Sequence, residues 1–392
     1  MKPIRTRVRA RDITESHRVS SPLELLFDLT FVVAVGSLVA QLAHKVAEGE
    51  VGETIGPFLM VFFAIWWAWN QFTWLASAYD NDDALYRVLT MVQMGGVLVL
   101  AAGVPSAFAV QDFTAITLGY LIMRLGLLGM LVRAMIEDPE SRPNSRRYVI
   151  GIALVQVGWL LRLFFVPVEY IAPAFIVLAV LELLVSPWAD RAGHLQWHPH
   201  HIAERYGLFA IILLGESVFA ATVAVQESVA DGVSAPLVIV AVAGLVLLFT
   251  LWWLYFSEPA AEGLERRRDR SYIWGYGHYA IYASLAAIGA GLEVAVRVVT
   301  HHAEVGEIAA GYALAVPLAV FLILLWLLHA PLGPVSIPPA ATVVAVVAVL
   351  VAPLTAAGIG ILGATVLMAA ITVALLVVAL LAARPPRRSL AG

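Results

Sequence analysis

The sequence predicts an all-α polytopic membrane protein with about twelve transmembrane helices, and three observations lead there. First, 61% of the 392 residues are hydrophobic and only 13% are charged, whereas soluble domains carry about 25% charged residues. Second, apolar runs about 20 residues long recur throughout the chain, the length a helix needs to cross a bilayer. Third, arginine gathers in alternate connections. The N-terminal arm holds Lys2, Arg5, Arg7, Arg9, Arg11 and Arg18. Arg142, Arg146 and Arg147 follow the fourth run, Arg266, Arg267, Arg268 and Arg270 the eighth, and Arg384, Arg387 and Arg388 the last. With an even number of spans these clusters share one side. The positive-inside rule makes that side, and both termini, cytoplasmic.

In chain order, a basic arm (1–20) precedes the first span, and no small-residue cleavage site follows that span, so it reads as a retained helix and not a signal peptide. The spans are 22–44, 54–78, 84–108, 113–135, 147–167 and 170–187 in a first half (21–190). A histidine-containing linker (191–200) leads to 201–225, 235–256, 272–298, 307–329, 338–356 and 359–382 in a second half (201–382). A basic tail, 383–392, closes the chain. The halves echo each other. "FAIWWAW" from Phe63 recurs as "FTLWWLY" from Phe249, and an offset of 180 residues sets Glu24 on Glu204 and Ser37 on Ser217. Because six is even, such a duplication gives two parallel six-helix halves.

Composition also excludes chemistry. There is no cysteine, so disulfides and thiolate sites are ruled out. A net charge of −4 gives nucleic acid no footing. The motifs G-x-x-x-x-G-K-[ST], H-E-x-x-H and G-x-S-x-G do not occur. No catalytic residue, cofactor or metal is therefore expected; His194, His198, His200 and His201 match no strong metal spacing.

The candidates for function are ionisable residues within spans. Ser21, Pro22 and Glu24 form an S-x-x-E capping box with a first-turn proline, a complete structural account of Glu24. Asp28 lies one turn deeper, about 9 Å past the cap, and must face protein, water or a cation. In the seventh span Glu204 and Arg205 fall near the cytoplasmic start and read as interfacial. Glu216 lies roughly 18 Å further in, with Gly215 before it to admit a neighbouring backbone and Ser217 after it to offer a hydrogen bond. A structural ion pair is the competing account. Depth counting sets Arg162 level with Glu216, and Arg124 level with Glu182. Glu293 and Arg297 read as a local i,i+4 pair. His278 reads either as a proton relay or as a hydrogen-bonded core histidine. Trp66, Trp67, Trp69, Trp74, Trp252 and Trp253 suit an interfacial belt. Asn70, Thr73 and Ser77 share a face that suits either a polar path or packing.

Six pieces carry a family resemblance: "LELLFDLTFVVAVGSL", "YDNDDALYR", "YLIMRLGLL", "HIAERYGLFAIILLGES", "LWWLYF" and "YGH". With them the chain resembles the bacterial low temperature requirement A (LtrA) family. The family motifs fall on Glu24, Asp28, Arg87, Arg124, Glu204, Arg205, Gly215, Glu216 and Ser217. Asn81-Asp82-Asp83 departs from the more basic start expected there. The resemblance implies a multi-pass protein of the bacterial plasma membrane and no established reaction. The expectation is a proton-coupled secondary transporter or permease for a small solute or ion, its only other partner the lipid bilayer. A non-transporting sensor or accessory protein for low-temperature membrane stress is the first alternative. An intramembrane enzyme acting on lipid headgroups is the second.

Overall fold

A computed structural model describes residues 5–11, 19–79, 81–193, 196–229, 234–258, 260–333 and 335–383. Lys2, Arg18, His194, Arg384, Arg387 and Arg388 lie outside the described residues. Among the described residues there are thirteen α-helices: α1 (Pro22–Ala47), α2 (Val51–Ala78), α3 (Ala84–Ala109), α4 (Thr114–Glu137), α5 (Arg142–Phe165), α6 (Ile171–Asp190), α7 (Pro199–Val229), α8 (Ala235–Phe256), the short α9 (Ala260–Arg266), α10 (Ser271–Val299), α11 (Glu307–His329), α12 (Pro339–Val351) and α13 (Ala356–Ala382). Among the described residues the only extended pairing is a single bridge between Ala10 and Tyr79.

Among the described residues eleven segments are long and apolar enough to cross a membrane, where about twelve are expected. The difference lies at the end of the chain, where the expected spans 338–356 and 359–382 run together as Pro339–Ala382. A straight helix of that length would measure about 66 Å, twice the hydrocarbon thickness. The segment is not straight. A 3-10 turn at Ala352–Thr355 interrupts it, and Gly360 breaks it with φ 69° and ψ 171°, a conformation that glycine adopts without penalty. The arms α12 and α13 pack on each other, so twelve is reached only by counting them apart.

The described residues divide into two compact units, Met1–Gln41 with Gly52–Ile212, and Leu42–Val51 with Leu213–Gly392. The division falls inside α7, where the sequence suggests the linker 191–200.

In the first unit, α3 and α4 form the most extensive pair. Glycine lets their backbones meet. A Cβ on Gly96 would lie 2.6 Å from Met123 Cγ and 2.7 Å from the Gly119 carbonyl, and one on Gly119 would collide with the Leu100 backbone nitrogen. Helices in lipid gain little from hydrophobicity and associate through such small-residue contacts. α5 packs on α4, and α6 on α5. α6 is mostly exposed, with one buried stripe of Ala179, Glu182, Val185, Ser186 and Ala189. In the second unit α10 is the most enclosed helix and pairs chiefly with α11, while α13 packs on α8.

Candidate functional site

The two acids of α1 face two bases of α7. The capping box forms: the Ser21 N–H donates to Glu24 Oε2 at 2.7 Å, and the Glu24 N–H to Ser21 Oγ at 3.3 Å. Glu24 also meets His201 Nε2 at 3.3 Å and Arg205 Nη1 at 3.5 Å. One turn deeper, Arg205 grips Asp28 with both arms of its fork, Nε to Oδ2 at 3.0 Å and Nη2 to Oδ1 at 2.5 Å. The Trp69 indole completes the shell, donating to Oδ1 at 2.7 Å. Both pairs are spaced by four residues, so each lies on one face of its helix, and the four side chains form a two-rung ladder. Arg205 is thus enclosed by protein, 0% exposed, and does not project into solvent. Glu204, its neighbour, accepts the Ser20 N–H at 3.2 Å.

Glu182 is a second centre. It sits on the buried stripe of α6, 1% exposed. Trp67 donates to Oε2 at 2.9 Å, and Tyr120, Gln156 and Trp159 to Oε1 at 3.0, 3.1 and 3.2 Å. Arg124 Nη2 lies 3.4 Å from Oε2 and also donates to the Tyr120 hydroxyl. The pairing of Arg124 with Glu182 is thus as depth counting suggests. A carboxylate offers about four lone-pair directions, and donors from α2, α4 and α5 fill them. The result is a fixed charge held by three helices.

Those two centres correct the reading of the tryptophans. Trp66, Trp67 and Trp69 are buried; Trp67 and Trp69 serve as donors, because an indole N–H out of water needs an acceptor. Trp74, half-buried, donates to Tyr206 Oη at 3.0 Å; of the six candidates Trp252 and Trp253, 47% and 49% exposed, still suit a belt. Asn70 donates to Tyr206 Oη at 2.6 Å, and Ser77 Oγ accepts the His198 N–H at 3.1 Å. That face of α2 packs on the start of α7.

Two charged candidates differ from these. Arg162 is 5% exposed, yet its only hydrogen bond among the described residues runs from Nε to the Ile171 carbonyl at 3.3 Å. Depth counting offers it an acid; among the described residues no carboxylate pairs with it. Glu216, 8% exposed, has neither a hydrogen bond nor an ion pair among the described residues. Gly215 brings no backbone close, since a Cβ there would meet nothing within 4 Å. The close approach is one residue on, where a Cβ on Gly289 would lie 2.6 Å from Ser217 Oγ. Ser217 donates to Leu213 and Leu285 carbonyls at 3.0 and 3.3 Å, tying α7 to α10. His278 Nδ1 lies 2.7 Å from the Trp274 carbonyl, and its ring packs among Tyr255, Trp274, Tyr282 and His329. Glu293 and Arg297 pair locally at 2.8 Å. Arg87 pairs at the surface with Asp82 at 2.7 Å.

A third cluster is absent from the sequence reading. Asp83 caps α3 by accepting the Tyr86 N–H at 2.9 Å. Arg133 reaches its two oxygens at 2.8 and 2.5 Å, and the Thr6 N–H donates at 2.8 Å. Glu137 accepts from Arg5 at 2.6 Å and from the Val8 N–H at 2.7 Å. Residues 5–11 of the arm are thereby docked on the start of α3 and the end of α4, and the Arg11 N–H donates to the Ala78 carbonyl at the end of α2 at 3.0 Å. Burial alone would raise the Asp83 carboxyl. The Arg133 hydrogen bonds, with the Thr6 and Tyr86 N–H groups, hold it well below the ordinary carboxylate range. The only signal in the sequence was the acidic run that departs from the family pattern.

Long apolar helices that bury ion pairs between them define a multi-pass α-helical membrane protein. The chain belongs to the bacterial low temperature requirement A (LtrA) family, whose sequence model matches residues 19–381. It is similar to an uncharacterised protein of Rhizobium meliloti (strain 1021), 26% identical over 292 residues, covering 70% of this chain and 69% of that one.

Proposed function

We propose that this LtrA protein is a proton-coupled secondary transporter or permease of a small solute or ion, with Glu216 as the group that exchanges protons. The observation that carries the reading is how the buried charges sort. Glu24, Asp28, Arg205, Arg124 and Glu182 are compensated within closed sets. Glu216 and Arg162 are not. An uncompensated charge within the bilayer costs several kcal/mol, and a purely structural protein gains nothing by keeping one. The reading includes cytoplasmic termini in the bacterial plasma membrane, supported by the arginine clusters. It also includes a duplicated six-helix plan. The third and fourth spans of each half, α3 with α4 and α10 with α11, are its most extensively packed pairs, and each contains a glycine against a partner backbone, Gly119 and Gly291.

The test is proton entry into proteoliposomes holding a pH-sensitive dye, under an inward proton gradient, with a panel of small solutes inside. Wild type dissipates the gradient faster than empty liposomes with at least one solute. Glu216→Gln, still monodisperse in detergent, does not. Equal rates for wild type and variant would remove Glu216 from the role. No rate above empty liposomes across the panel favours a non-transporting accessory protein. One observation already leans that way: Asp28 and Arg124 are locked in closed pairs.

A further inference from the structure

Arg162 stands in the last turn of α5, where its guanidinium lies among three rings, 5.3 Å from the Phe113 centroid, 5.7 Å from Trp159 and 5.5 Å from Phe175. Such rings ease the burial of a cation but accept no conventional hydrogen bond. Nη2 is buried and has no acceptor among the described residues. The side chain lines a cavity of about 20 Å³ whose other walls include Phe113, Thr117, Tyr120, Trp159 and Phe175. That volume holds a water-sized guest. Phe113 is the N-cap of α4 and Thr117 ends its first turn, so the start of that helix borders the same space; its Thr114 N–H is already taken by the Asp112 carboxylate at 2.8 Å, on the exposed side.

We propose that this cavity is a binding site for a small monovalent inorganic anion of chloride size, held by Arg162 with the Thr117 hydroxyl and the aromatic walls. The guest supplies the negative charge that the bilayer-embedded guanidinium lacks. A single guanidinium balances one negative charge, so divalent sulfate and phosphate would bring a second, uncompensated charge into the same apolar walls. The assignment concerns binding and does not rest on transport.

Purified full-length protein in lipid-depleted detergent is titrated with sodium chloride, gluconate keeping ionic strength constant, and the thermal unfolding midpoint is recorded. The wild-type midpoint is flat at chloride concentrations below the dissociation constant and rises with the logarithm of chloride above it, as mass action requires. Bromide reproduces it; sulfate does not. Arg162→Gln loses the chloride dependence. Should that variant fold poorly, Thr117→Met fills the cavity while keeping the cation, and it too loses the response. Equal chloride dependence in wild type and either variant overturns the assignment. So does a wild type indifferent to chloride, one as responsive to sulfate, or one stabilised by added phosphatidylglycerol alone, which would make the guest a lipid headgroup.

Discussion

Arg205 is the residue on which two buried carboxylates depend. Removing one partner of a buried pair leaves an uncompensated charge and costs about 3–5 kcal/mol. Arg205→Ala should therefore lower the thermal midpoint in detergent far more than Arg87→Ala, whose partner Asp82 is at the surface. The double variant Asp28→Asn with Arg205→Gln should lose less than the two single losses combined, since neither group is then orphaned. Strict additivity would argue that the ladder is not a coupled unit. The capping box was legible because its donors and acceptors lie within four residues. The ladder was not, although both spacings were in plain view, because sequence does not tell which helices are neighbours. Nor did it tell that the chain enters α7 early enough to bury Arg205. The same ignorance of neighbours misassigned Trp66, Trp67 and Trp69. They span about 160° of the circumference of α2, and every residue from Val61 to Asn70 is buried, so this stretch is enclosed all round.

At the scale of helices, the spans were readable from apolar run length, and most observed limits fall within a few residues of those expected. The exception is Pro339–Ala382, where two apolar runs have no polar connection and only backbone geometry at Gly360 marks the break. Interhelical glycines are the other feature that run length does not reveal. Gly119 admits the Leu100 backbone of α3, and backbone cannot move aside as a side chain can. Gly119→Leu should destabilise by more than the 1–3 kcal/mol typical of overpacking. Gly95→Leu, at a position with nothing within 4 Å of its Cβ, should be close to neutral. Comparison of their midpoints and of their yields in monodisperse form checks this; equal behaviour would mean that α3 and α4 are not in backbone contact.

Across the whole molecule, the docked arm adds a pH dependence. Asp83 titrates lower in the folded protein than in the unfolded chain. Its contribution is therefore fully present above the unfolded value, about 3.9, and is lost as pH falls below it through the folded value. The protection of residues 5–11 against hydrogen exchange, taken relative to the intrinsic rate at each pH, should be high at pH 6 and fall as pH drops below 4. Asp83→Asn should free the arm at neutral pH, read as faster tryptic cleavage at Arg7 and Arg9. An arm equally protected in that variant would place the anchor elsewhere. The docking was not legible in the sequence, because its acceptors are two acids and its donors largely main-chain N–H groups. The ladder between α1 and α7 bears on how the protein is made. Its rungs join residues 177 positions apart. At 5–20 residues per second, the ribosome needs roughly 9–35 s to supply Arg205 after Asp28 has emerged. For that interval the first helix carries both carboxylates without their final partners. The first helix can settle at its final depth only when the seventh arrives, so the insertion of the N-terminus is completed by the middle of the chain.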